Sequence, residues 1–338
     1  MTDISRRNFA KRVSCIASGL VPAAVPGLAL FSETAFAQTE AGVGRIIVGY
    51  PAGGTLDQTA RRLTEAWRSQ GRAYLVDNRP GAAGRVANGQ LKREKADGSI
   101  VLCTHTSSMT IYPHVYARLS YDPAKDVRAV AALASATCVL AVSAAVPAEV
   151  KTLADYVRWL KANEAGRIYA SPAAGSLAQF LGYRFSQAAG VPLTHVAYRG
   201  SAPAVQDLLG GQIPAYIGFV GDFLQYLDTG KIRLLAVTSE KRSRFLKQVP
   251  SFAEQGFGTV VGVESYGIFV PPATPEDKVA ALAAATQTAA GDKALVGGLE
   301  QIGLEAAFIG PADYAQHMAG ERERWKPVVA ASGFRADE

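Results

Sequence analysis

From Gly44 onward, short apolar runs alternate with longer stretches whose apolar residues recur at helical spacing. Ile46-Ile47-Val48 reads as a strand, Pro51-Ala52-Gly53-Gly54 as a turn and about 56–69 as a helix. A strand at 73–76, a second glycine-rich turn at 78–84, a helix at 86–95 and a strand at 99–103 follow. The same order then returns: strand 139–142, helix 154–162, strand 167–170, turn 171–176 and helix 177–188. After it come a strand at 195–198, a turn at Gly200, a helix at 202–209 and strands at 215–219 and 232–238. A last strand, 266–270, stops at Pro271-Pro272, and helices fill 275–290 and 311–331. Short apolar strands separated by helices predict an α/β protein with a parallel sheet covered on both faces. No short repeat is present, which argues against solenoids and propellers.

The N-terminal residues change the picture of where the chain works. Arg6-Arg7 and Lys11 precede the mildly apolar stretch 13–31, which ends near the small residues of Ala35-Phe36-Ala37. This is the layout of a cleavable signal peptide over 1–37, with paired arginines of the twin-arginine type. Gly19, Pro22, Pro26 and Gly27 interrupt the stretch, which argues against a spanning helix. Removal of 1–37 lowers the formal charge from +6 to +4, because four basic residues leave with two acidic ones. The remaining Lys and Arg are dispersed, so no nucleic-acid-binding stripe is expected. About 300 residues remain, a length that favours two domains. Cys103 and Cys138 sit inside apolar runs and read as core residues, with a bridge left open. His105, His114, His195 and His317 are scattered, and neither a metal site nor a cofactor is expected.

Two turns carry the candidate chemistry. In 51–57 and in 171–176 a strand ends, a glycine permits close approach and a small hydroxyl residue leads into a helix. Unpaired amides and the positive end of the helix dipole converge at such a point, which suits an anion. Ordinary capping by Thr55 or Ser176 explains either turn alone, whereas a pair of them suggests a ligand held between two lobes. Asp57 is expected to stiffen its turn or, for a ligand with an ammonium group, to receive it. No nucleophile elbow, P-loop, zincin motif or dinucleotide fingerprint is present, and no enzyme is expected.

Several segments together are similar to one family. They are 50–57, Val76-Asp77-Asn78-Arg79-Pro80-Gly81-Ala82-Ala83-Gly84, Ala96-Asp97-Gly98, 121–126, Val196-Ala197-Tyr198-Arg199-Gly200-Ser201, 207–212 and 235–239. They resemble the substrate-binding proteins of tripartite tricarboxylate transporters, also called Bug receptors, along essentially the whole chain after 37. The resemblance implies a two-lobed periplasmic-binding-protein fold of the Venus-flytrap, type II-like kind, with a central cleft. Its lobes would be 42–141 plus 266–338, and 142–265. It implies Pro51, Gly53, Gly54, Thr55 and Asp57 on one side of the cleft. Ser171, Ala174, Gly175, Ser176, Tyr198, Gly200, Ser201 and Ala202 would face them, with Thr106, Ser107 and Asp222 as further candidates. Ala52 and the Ala178-Gln179 pair depart from the family pattern, and 219–223 matches it poorly.

The function so implied is capture of a small carboxylate outside the cytoplasmic membrane and its delivery to membrane transporter subunits, and a monomer is expected of a receptor that closes on a hinge. A receptor serving a signalling partner is the alternative, followed by a cleft enzyme acting on a carboxylated substrate.

Overall fold

The computed structural model describes residues 42–336, so the expected signal segment lies outside the described residues. The chain opens with β1 (Gly44–Val48), α1 (Thr55–Arg68), β2 (Tyr74–Asn78), α2 (Arg85–Gln90) and β3 (Ile100–His105). Two single-turn helices, α3 (Ser107–Thr110) and α4 (Tyr112–Val115), lead to the long strand β4 (Arg128–Ser143). Then come α5 (Leu153–Ala162), β5 (Ile168–Ser171), α6 (Leu177–Ala189), β6 (Thr194–Ala197), α7 (Ser201–Leu209), β7 (Ala215–Phe219) and β8 (Ile232–Val237). The chain closes with β9 (Val263–Val270), α8 (Glu276–Ala290), α9 (Lys293–Gln301), β10 (Glu305–Ile309) and α10 (Pro311–Ser332).

The strands pair in the order β2-β1-β3-β9-β4-β7-β5-β6, with β10 and β8 also on β4. The pairs among β1, β2 and β3 and among β5, β6 and β7 are parallel. β4 runs antiparallel to β7, β8, β9 and β10, and β9 runs antiparallel to β3. The sheet is therefore mixed, which corrects the parallel sheet expected from the alternation. β4 is the cause: its first part pairs with β9 as far as Thr137 and its second part with β7 from Cys138, so one strand belongs to both halves. The chain returns beside it at Thr238, whose amide donates to the Cys138 carbonyl at 2.9 Å and whose Oγ1 donates to the Gly262 carbonyl at 2.7 Å.

Each half carries apolar cores on both faces of its sheet. In the first, Ile46, Val48, Leu63 and Trp67 pack with Val279, Leu282 and Leu299, while Ile47, Leu102 and Phe269 pack with Tyr314 and Met318 on the other face. In the second, Leu140, Tyr156, Phe180 and Phe185 form one core and Val139, Val205, Tyr216 and Phe223 another. Helix α10 joins the halves, because Tyr314 and Met318 near its start pack in the first, whereas Trp325 and Val329 further along pack in the second. Cys103 and Cys138 are free, buried thiols in different cores.

Candidate solute-binding cleft

A cleft of ≈ 580 Å³ opens at the carboxyl ends of β1, β3, β5, β6 and β7, a volume suited to a small solute. The β1–α1 turn contributes Tyr50, Pro51, Gly54 and Thr55, and β3 leads into it through His105 and Ser107. From the second half come Ser176 after β5, Gly200 and Ser201 after β6, and Phe219, Gly221 and Asp222 after β7. Glu264 and Tyr266 of β9 and the Ile302–Leu304 turn close it.

The first turn is held open by its own side chains. Gly53 adopts φ +86°, and Gly54 caps α1 in an extended conformation without a side-chain bond. Asp57 is buried, and its Oδ2 accepts from the Gly53 amide at 2.8 Å and from Arg61 Nε at 2.9 Å. Its Oδ1 accepts from Asn78 Nδ2 at 3.0 Å. Burial alone would raise this carboxyl, but the bonds from Arg61, Gly53 and Asn78 outweigh it and hold the group below its usual range. Asp57 is thus committed to the turn, and the first amides of α1, at Thr55 and Leu56, have no protein partner among the described residues. Asp57→Ala orphans three donors and is expected to cost about 1–3 kcal/mol of stability. Thermal unfolding checks this; an unchanged melting temperature would remove Asp57 from the account of the turn.

The second half presents two similar starts. Ser176 caps α6 by accepting from the Gln179 amide at 3.3 Å, and Gln179 Oε1 accepts from the Gly175 amide at 2.6 Å. Gly200 starts α7 with no side-chain cap, and its own amide donates to the Pro172 carbonyl at 2.8 Å. The Ser201 and Ala202 amides follow without a protein partner among the described residues, and Pro203 has none to offer. The positive ends of α1, α6 and α7 therefore meet around one cavity.

The cleft floor is aromatic and acidic. Tyr50 Oη donates to the Ala83 carbonyl at 2.9 Å and lies 2.7 Å from His105 Nε2, whose ring burial pushes down to about 4, leaving it neutral at pH 7. Glu264 Oε1 accepts from the Ser107 amide at 2.8 Å, and Ser107 Oγ donates to Oε2. Asp222 Oδ2 accepts from the Phe219 amide at 2.9 Å and from Tyr216 Oη at 3.2 Å. Burial pushes Glu264 up to about 7 and Asp222 up to about 6, against the bonds that each accepts. No Lys or Arg among the described residues lines the cavity.

Of the residues expected at the site, Pro51, Gly54, Thr55, Ser107, Ser176, Gly200, Ser201 and Asp222 line the cleft. The others are not among the lining residues: Gly53, Asp57 and Gly175 brace turns, and Ala174 and Ala202 lie beside them. Thr106 Oγ1 donates to the Ser265 carbonyl, Ser171 Oγ donates to the Ala173 carbonyl, and Tyr198 Oη donates to Asp207. His105 pairs with Tyr50 and His195 with Ser171. Glu264, Tyr266, His105 and Tyr112 are lining residues beyond those expected; they reach the cleft from β9, from the end of β3 and from the start of α4. A glutamate inside the apolar run Val263–Val270 was the available signal for the first of these.

A family profile described as the tripartite tricarboxylate transporter family receptor, TctC, matches residues 59–334. The chain belongs to this family. A relative from Bordetella bronchiseptica is 30% identical over 293 residues, 86% of either chain. BugT of Bordetella pertussis is 28% identical over 293 residues, 86% of this chain and 89% of BugT. Among solved structures, the periplasmic binding protein BugD is similar at TM-score 0.75 and 25% identity, over 87% of this chain and 98% of BugD. R. palustris Rpa4515 with adipate is similar at TM-score 0.77 and 28% identity, over 87% of this chain and 98% of Rpa4515. The chain thus has the two-lobed periplasmic-binding-protein fold that the resemblance implied. Among its described residues, no helix is long and apolar enough to cross a membrane, and no group of His, Cys, Asp and Glu could hold a metal ion.

Proposed function

We propose that this receptor captures a small carboxylate outside the cytoplasmic membrane and delivers it to the membrane subunits of a tripartite tricarboxylate-type transporter. The carrying observation is the convergence of unpartnered amides from α1 and α7, which belong to opposite halves of the sheet, on one ≈ 580 Å³ cleft. A carboxylate there satisfies donors from both halves at once, so binding and closure are one event. The similar Rpa4515 holds adipate, a carboxylate. The proposed lobes, 42–141 plus 266–338 and 142–265, would hinge where the chain crosses at Thr137-Cys138 and again near Thr238. Export would use the paired arginines of 1–37 and the twin-arginine route, and the working form would be a monomer.

A thermal-shift panel tests this reading, since a solute that binds only the folded state raises the melting temperature. Small carboxylates should stabilise the protein, and their amides should not. Stabilisation by sugars, phosphates or peptides alone would overturn the assignment.

A further inference from the structure

Beside the helix starts, the cleft is walled by rings from both halves. Tyr50, His105 and Tyr112 form a row, with centroids 5.5 Å apart for the first pair and 5.9 Å for the second. Tyr266 stands opposite His105 in the β3–β9 register and extends the row, and Phe219 adds a ring from the end of β7 in the other half. Resting on the carboxylate reading above, we propose that the solute is a monocarboxylate built on an aromatic ring, its acid group on the α1 and α7 amides and its uncharged ring against these side chains.

The row offers a solute carbon rather than charge. Tyr50 Oη is spent on the Ala83 carbonyl and on His105, and Phe219 has no polar atom in its side chain. Such rings prefer another ring, offset or edge-on, to a saturated chain of equal size, because the geometry adds to the area buried. A second carboxylate finds the side-chain donors around it already taken. Glu264 holds both the amide and the hydroxyl of Ser107, and the Ser201 hydroxyl is bonded to Asp222. The Ser176 hydroxyl donates to the Ala173 carbonyl and the Gln58 amide to the Gly53 carbonyl. With no Lys or Arg among the described lining residues, a second anionic group would lose its water without replacement. Tyr266 Oη has no protein partner among the described residues, and as a neutral hydroxyl it suits an uncharged polar substituent on the ring.

The test is calorimetric titration of the purified protein with benzoate, phenylacetate and cinnamate, each set against its cyclohexyl counterpart and against the same acid carrying a second carboxylate on the ring. At least one aromatic monoacid should bind about tenfold or more tightly than both of its controls. Phe219→Leu should reduce the margin over the cyclohexyl acid several-fold and leave the affinity for hexanoate unchanged. Diacids that bind as well as the monoacids, adipate as well as hexanoate included, overturn the single charge; cyclohexyl acids that bind as well as aromatic ones overturn the ring. Either result leaves the carboxylate reading standing, whereas binding by no acid of any kind removes that reading as well. Should Phe219→Leu unfold, the proton shifts of the bound aromatic acid in the unaltered protein decide: upfield ring-current shifts support the proposal, and unshifted ring protons overturn it.

Discussion

Gly221→Ala is expected to raise the dissociation constant for the bound solute roughly tenfold to a hundredfold, a cost of about 1.4–2.8 kcal/mol, with little change in the melting temperature of the free protein. Gly221 follows β7 in the second half, and the Ile302-Gly303 turn joins α9 to β10 in the first. They meet backbone to backbone at the edge of the cleft: a Cβ on Gly221 would overlap the Ile302 carbonyl, and one on Gly303 would overlap the Gly221 backbone. Neither neighbour is a flexible side-chain end, so the added methyl is relieved by parting the halves. Arg244 pairs with Glu300 across the same edge, but as a half-exposed ion pair it contributes too little to hold the halves together. Gly303→Ala adds a left-handed backbone cost, at φ +71°, of about 1–2 kcal/mol and should destabilise the free protein as well. Calorimetry with thermal unfolding separates the two variants. Unchanged affinity in Gly221→Ala would mean that the approach of these turns is not part of solute capture.

Glu264→Gln is expected to stabilise the solute-free protein at pH 8 and to flatten its pH profile. Burial raises Glu264, its bonds from Ser107 oppose the shift, and the Glu321 charge adds to it, leaving the group at about 7 against an ordinary 4.5. The folded state therefore holds a proton that the unfolded state has already released. The sign follows: the favourable contribution is complete below pH 4.5, declines as pH rises, and is lost above 7. Its full span is ~3 kcal/mol. Asp222, raised from 3.8 to about 6, works in the same direction over a lower window. Melting temperatures from pH 4 to 8 for the protein and for Glu264→Gln measure the difference. A protein whose stability rises between pH 5 and 8, with Glu264→Gln showing the same slope, would contradict the assignment.

The parts of the fold that the sequence made legible are those where periodicity and punctuation agree. The helices α1, α5, α6, α7, α8 and α10 follow from helical spacing bounded by Gly, Ser, Thr or Pro, and observed ends fall within a residue or two of the expected ones. β4 was legible only over its last residues. Its first part is alanine-rich, with Ala129, Ala131, Ala132, Ala134 and Ala136 buried under other elements, and alanine carries no strand signal. The antiparallel pairs that β4 makes are therefore not legible in the alternation of strands and helices, which by itself reads as a parallel sheet. α9 and β10 escaped because a nine-residue helix with two adjacent glycines and a half-buried strand give weak patterns.

The site divides along the same line. Pro51, Gly54, Thr55, Ser176, Gly200 and Ser201 are visible because a strand, a glycine turn and a helix start are local features. Which amides remain free is not local, since Gly53 is claimed by Asp57, Gly175 by Gln179 and Gly200 by Pro172. Glu264 meets Ser107 across 157 positions of chain, a pairing that only the sheet's strand order brings about.

The central claim, that helix-start amides from both halves grip a carboxylate, is tested most directly by residue-resolved amide hydrogen exchange with and without the stabilising solute. Thr55, Leu56, Ser201 and Ala202 should gain protection together on binding, because each donor leaves water for the same ligand. Protection confined to one half, or found instead along the separate groove lined by Arg61, Arg62 and Lys293, would contradict it.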